Sequence, residues 1–295
     1  MSGRPALRTT RRHFLKLGAA VVAAGLALPL TSWPAGAPGS PALRIASALP
    51  LPGYDYLPFP ERLLTPAPDG PDVALVPAYV AALLVRHVRL QPLPGPPGRA
   101  HDPDGHYSVP HAYRVAALRF PNETSAPQSA TWADLWSAAG QAAWPASGRL
   151  VMGAALLRRG YSPNDSHPGH LAQAAADLER LRPRLASLGT EHFDGGQPGP
   201  RAPALVLADP AAIGQANGLR LPVEGTLLVE YDWVVLAGAE RAALARQFVE
   251  QRPLAGVPRL DLPVRLIPLM PLPAAARAQH AAIWAALAKR DTEVL

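Results

Sequence analysis

Gly70-Pro71-Asp72-Val73-Ala74-Leu75-Val76-Pro77-Ala78-Tyr79-Val80 is the stretch that decides the fold. Val73 to Val76 form an apolar run too short for a helix and suited to a strand buried on both faces. Pro77 stops the run, and from Tyr79 to Leu90 the apolar positions take helical spacing. A short buried strand turning directly into a helix is the building unit of α/β proteins. The alternation continues on either side. Leu43 to Leu49 reads as a first buried strand, followed by the aromatic and proline-rich loop Gly53-Tyr54-Asp55-Tyr56-Leu57-Pro58-Phe59. Downstream, strand character returns at Tyr107–Val109, Arg114–Phe120, Leu150–Met152, Ala204–Ala208, Thr226–Val229 and Trp233–Leu236. Helices are expected after Thr131, over Ala154–Arg159, Pro168–Leu188 and Ala239–Gln251, and at Arg277–Arg290. The expected fold class is therefore α/β.

The first 42 residues stand apart. Thr10-Arg11-Arg12-His13-Phe14-Leu15-Lys16 precedes a mild apolar run from Leu17 to Leu28. Arg11, Arg12, Phe14, Leu15 and Lys16, at this spacing, resemble a bacterial twin-arginine export signal. The run is broken by Pro29 and Pro34 and is shorter than the ~20 residues that span a bilayer. Residues 1–42 are expected to be a removable signal, with the twin-arginine translocase as export partner and the periplasm as destination.

Charge and cysteine usage narrow the function. Lys and Arg number 28 against 22 Asp and Glu; five of the basic residues and none of the acidic ones fall in 1–42, which leaves 23 against 22. With no basic block after residue 42, a nucleic-acid partner is not expected. The chain has no cysteine, which excludes disulfides, thiolate metal sites and a cysteine nucleophile. No Gly-x-Ser-x-Gly elbow, His-Glu-x-x-His or phosphate loop occurs. His101, Asp102, Asp104, His106 and His111 crowd one stretch, but Asp102-Pro103-Asp104-Gly105 is also a turn sequence and reads as one. The expectation is a protein without enzymatic activity, cofactor or metal.

Four segments in order carry a resemblance. They are Gly70 to Val80; Asp102-Pro103-Asp104-Gly105-His106-Tyr107-Ser108-Val109-Pro110-His111-Ala112-Tyr113; Thr131-Trp132-Ala133-Asp134-Leu135-Trp136; and Ala155 through Arg158-Arg159-Gly160-Tyr161-Ser162-Pro163-Asn164 to Leu181-Arg182-Pro183. Together they resemble the periplasmic polyamine (spermidine/putrescine) substrate-binding proteins of ABC transporters, a likeness that covers most of residues 43–260. It implies a two-lobed periplasmic-binding-protein fold with the ligand cleft between lobes, closing by hinge bending. The implied lobes are 43–112 with 233–267, and 113–232 with 268–295. The implied partners are a small-molecule ligand and an ABC permease. The chain departs from the family in being shorter before Asp72, in lacking the family's carboxylates after Val151-Met152, and in reading Glu230-Tyr231-Asp232 where the family has Trp-Met-Asp. Asp232 matches a cation-binding aspartate; Glu230 stands where an aromatic is usual.

A polyamine needs carboxylates for its ammonium groups and aromatic walls for its methylenes. Tyr54, Asp55, Tyr56, Tyr79, Tyr113, Glu230, Tyr231, Asp232 and Trp233 offer both, at the carboxyl ends of strands where open α/β sheets bind ligands. The resulting expectation is a solute-binding protein for a polyamine-like or other small cation. A twin-arginine-exported enzyme and a divergent relative that has lost its transport ligand are the alternatives.

Overall fold

The computed structural model describes residues 43–49, 51, 54–57, 60–67, 69–93, 95–97, 99–137, 142–145, 147–182, 185–189, 192–193, 203–215, 218–252 and 262–288. The segment with Arg11, Arg12, Phe14, Leu15 and Lys16 lies outside them.

The decisive stretch folds as read. Val73–Pro77 is strand β3 and Ala78–Arg86 is helix α1; β1 (Ile45–Ser47) and β2 (Asp55–Tyr56) precede them. Every residue of β3 is buried, as an apolar run between paired strands on both sides requires. Tyr79 to Leu84 of α1 are buried too, so the helix is sandwiched between layers and does not float on a surface. A 3-10 turn, Pro60–Leu64, packs beside it.

Next come β4 (Val109–Arg119), a single turn of helix α2 (Asp134–Ser137), β5 (Ala142–Pro145), α3 (Gly148–Arg158) and α4 (Pro168–Leu181). They are followed by β6 (Leu185–Gly189), β7 (His192–Phe193), β8 (Ala204–Ala208), β9 (Leu219–Arg220), β10 (Thr226–Val235), α5 (Ala242–Glu250), β11 (Leu266–Pro268) and α6 (Ala274–Ala288). The main strand order is β2-β1-β3-β10-β4-β8-β5-β6, with β11 on β10, β7 on β8 and β9 on β4.

Two long antiparallel strands join the halves. β10 pairs β3 through Tyr231–Val235 and β11 through Thr226–Leu228; β4 pairs β10 at its start and β8 through Val115–Arg119. Glu230 faces Tyr113 across this pair, and the register shifts between Tyr231 and Asp232. Hydrogen bonding therefore runs unbroken from one half to the other. Alternation along β4 sends Ala116 and Leu118 into the main core and Val115 and Ala117 into a smaller one with Val206 and Leu219.

Several expected elements shift. Leu150-Val151-Met152 lies inside α3 and not in a strand: short apolar runs have the same composition in either state, and Ser147, accepting the Leu150 N–H at 3.4 Å, caps a helix here. The strand that precedes α3 is β5. The long helix ends at Leu181, and β6 occupies 185–189. The pairs 107–109 with 114–120 and 226–229 with 233–236 are single strands, β4 and β10, because paired backbone carries the ladder through their polar middles.

Candidate ligand-binding cleft

Loop residues 91–93, 95–97 and 99–108 form a hairpin-like excursion before β4. Leu93 N–H donates to the His106 carbonyl at 2.5 Å and Gly95 N–H to that of Gly105 at 2.6 Å. Asp102 fastens the base. Its carboxylate accepts the N–H groups of His106, Tyr107 and Ser108 at 2.9–3.0 Å and the Ser108 hydroxyl at 3.0 Å. Burial pushes this carboxyl up, but the donors outweigh it and hold the group below its ordinary value. Gly105 has φ +69°, and a Cβ there would collide with the Gly95 carbonyl.

This loop delivers Arg99 and His101 to β10. Arg99 Nη2 donates to Glu230 Oε1 at 2.7 Å and to Asp232 Oδ1, while Nη1 donates to Ser108 Oγ at 3.2 Å. His101 Nε2 lies 2.7 Å from Asp232 Oδ2. The Tyr113 hydroxyl donates to Glu230 Oε1 at 3.0 Å. Burial and then Glu230 raise the Tyr113 phenol, so it stays a donor. Asp232 is 0% exposed, and its charge is tolerable because both oxygens are paired.

A second feature lies between the 3-10 turn and α1 on one side and the start of α3 with α6 from Ala274 to Ala285 on the other: a cavity of about 670 Å³. Tyr79, Leu83 and Trp284 supply much of its wall. Gly148 lets α3 begin directly against the Trp284 ring; a Cβ at this position would sit 2.7 Å from Trp284 Cγ. Four charged side chains line the space, Glu61 against Arg62, Arg149 and Arg277. The Arg149 guanidinium stands 5.9 Å from the centre of the Tyr79 ring. Its Nη atoms donate to the carbonyls of Pro163 (2.7 Å) and Met270 (3.3 Å) and to Asn164 Oδ1 (2.6 Å). Burial lowers its pKa to about 10. Burial likewise pushes the Glu61 carboxyl up, against a hydrogen bond from Tyr79.

The nine expected ligand residues thus divide. Tyr113, Glu230 and Asp232 come together, with Arg99 between the two carboxylates. Tyr79 alone of the nine lines the cavity, and Tyr231 is buried close enough to affect the Tyr79 phenol. Trp233 is buried with Tyr54 edge-on at 5.8 Å, Phe248 at 5.5 Å and His111 at 5.3 Å, an aromatic packing cluster. Asp55 and Tyr56 form β2 at the sheet edge, and Asp55 is exposed. Sequence reading missed Arg99, Arg149 and His280, and assigned the His101 stretch to a turn without a ligand role. The strand–helix turn after β5, where a carboxylate would favour a cation, carries Ser147, Gly148 and Arg149.

The comparisons with known proteins bear on this arrangement. No family model matches the chain. The spermidine/putrescine-binding periplasmic protein of Escherichia coli (strain K12) is 31% identical over 94 residues, which is 31% of this chain and 27% of that one. The spermidine/putrescine-binding periplasmic protein 1 of Haemophilus influenzae is 30% identical over 97 residues, 32% and 27% of the two chains. The match therefore spans about a quarter of these curated relatives. Among solved structures, a putative spermidine/putrescine ABC transporter from Listeria monocytogenes aligns with TM-score 0.59 at 18% identity, over 73% of this chain and 83% of that one. The Tp0655 (TpPotD) lipoprotein of Treponema pallidum gives 0.56 at 20% identity, over 79% and 90%. A periplasmic thiamin binding protein gives 0.57 at 14% identity, over 87% and 98%. The fold is the two-lobed α/β fold of the periplasmic binding proteins. Within that class, a stretch of 94 residues is similar to the spermidine/putrescine-binding periplasmic protein of Escherichia coli.

Proposed function

We propose that this chain captures a small solute between two lobes and delivers it to an ABC permease, without covalent chemistry. The observation that carries this reading is the cavity of about 670 Å³ between the Pro60–Leu64/α1 side and the α3/α6 side of a solute-binding fold. The lobes divide at the paired strands β4 and β10, as 43–112 with 233–267 and 113–232 with 268–295. A thermal-shift panel of spermidine, putrescine, amino acids and short peptides tests it, since a ligand bound only by the folded state raises Tm by mass action. If nothing small shifts Tm, the chain is an interaction module that has lost its ligand.

For charge preference, the similarity to polyamine binders favours a cation at Glu230 and Asp232. Arg99 supports that chemistry and competes with it: the pair already holds one guanidinium, and an ammonium ligand has to displace it. Arg99→Ala is expected to tighten spermidine binding roughly tenfold to a hundredfold, the worth of one charge-assisted hydrogen bond. Weaker binding in that variant would show that Arg99 helps to build the site.

Export follows from Arg11 and Arg12 ahead of the apolar run, with the twin-arginine translocase as carrier and the periplasm as workplace. Replacing both arginines by lysine is expected to leave precursor in the cytoplasm; normal periplasmic accumulation would rule the route out.

A further inference from the structure

We propose that the cavity beside Tyr79 is a carboxylate-binding subsite, and that a solute lodging there carries an acidic group on an apolar body. The proposal rests on the solute-capture reading and adds a ligand class to it. It concerns this cavity alone, since Glu230 and Asp232 are not part of its lining.

The first observation is Arg149. The residue is 8% exposed, its Nε is buried without a partner, and its Nη atoms meet only neutral oxygens. Among the described residues no carboxylate lies within ion-pair distance of it, whereas Asp72, Asp177 and Asp232 are each buried against cations. A guanidinium held in a cavity wall by carbonyls is positioned and under-neutralised, and buried charge is stable when paired. Glu61, in the same wall, stabilises this charge only from beyond ion-pair distance, so the contact position is open to an anion from the cavity.

The second observation is His280 on α6, in the same wall. It is 7% exposed, and neither ring nitrogen has a hydrogen-bond partner. Neutral imidazole offers one donor and one acceptor, so an occupant with oxygens satisfies what the fold leaves open. The third is orientation. Tyr79 and Gly148, both in the wall, lie in the first turns of α1 and α3, so two helices of nine and eleven residues present N-terminal ends to the space. Arg62 and Arg277 add positive charge against Glu61. Tyr79, Leu83 and Trp284 give the apolar body a wall.

The test uses the full chain with benzoate, phenylacetate and hexanoate, their uncharged amides, and spermidine. Binding is read by Tm and by tryptophan emission, with Trp284→Phe assigning the emission change to the cavity. At least one carboxylate is expected to raise Tm and alter Trp284 emission where its amide does not. Arg149→Gln is expected to weaken that binding roughly tenfold to a hundredfold. His280→Leu removes no bond from the fold and is expected to weaken it severalfold, so it decides the matter if Arg149→Gln fails to fold. Amides binding as well as carboxylates, or undiminished binding in both variants, would overturn the proposal. Spermidine binding alone would overturn it and leave solute capture standing. No response to any ligand, here or in the wider panel, would end both.

Discussion

His280 makes a single side chain visible in bulk behaviour. Burial, and then the neighbouring Arg149 charge, depress its pKa from the ordinary 6.5 to about 4. Between those values the unfolded chain binds a proton that the folded chain refuses. Stability is therefore full above pH 6.5 and declines as pH falls, by about 3 kcal/mol from this residue at pH 4. His111, also depressed to about 4 by burial and then by Arg252 and Arg114, acts in the same direction. Urea titrations from pH 7 to pH 4 check this; His280→Leu should flatten the profile, and an unchanged slope would place the acid lability elsewhere. Asp177 is the complementary case. Its buried carboxylate takes Arg158, Arg159 and Arg180, tying α4 to α3. Asp177→Asn is expected to lower stability by about 2–3 kcal/mol in denaturant unfolding. Such partners are hard to read from sequence. Arg99 sits in a Pro- and Gly-rich loop with no local sign that it meets Asp232 across more than half the domain. The sign of His280 is present but faint: it shares the i, i+4, i+7 stripe with Trp284 and Leu287, a spacing that packing alone also produces.

Elements were legible where one signal dominated. β3, β8 and α5 announce themselves by an apolar run or a strong period. β5, with the sequence Ala-Ala-Trp-Pro, lacks both the branched residues and the alternation of a strand, and its assignment depends on β6 and β8 beside it. Leu150–Met152 reads as strand from its composition alone, because three apolar residues are too few to show a helical period. Glycine positions test the elements directly. Gly105→Ala forces a Cβ onto the Gly95 carbonyl at positive φ, and should cost about 2–3 kcal/mol in thermal unfolding. Gly148→Ala pushes into the Trp284 ring, and should cost about 1–3 kcal/mol and shift tryptophan emission. A neutral result for Gly148→Ala would mean that α6 is free to move away from α3.

At the scale of the molecule, the two-lobed fold was readable because four segments keep their order, while the cleft was only half readable because its charges are set by long-range pairing. That pairing has a further consequence, for the order in which the protein can be made. Val73 pairs with Val235, so β3 acquires its partner β10 only near the end of translation. Until then β1 and β3 leave the ribosome as an amino-terminal half with an open apolar edge, the kind of surface that recruits chaperones and aggregates. A chain ending at residue 225 is expected to be cut by protease at concentrations that spare the full chain, and a resistant fragment would show that the first half folds alone. If the twin-arginine route carries this protein, it suits such a timetable: β10, added late, completes the first half, so folding before transport is the order in which the nascent half is sheltered.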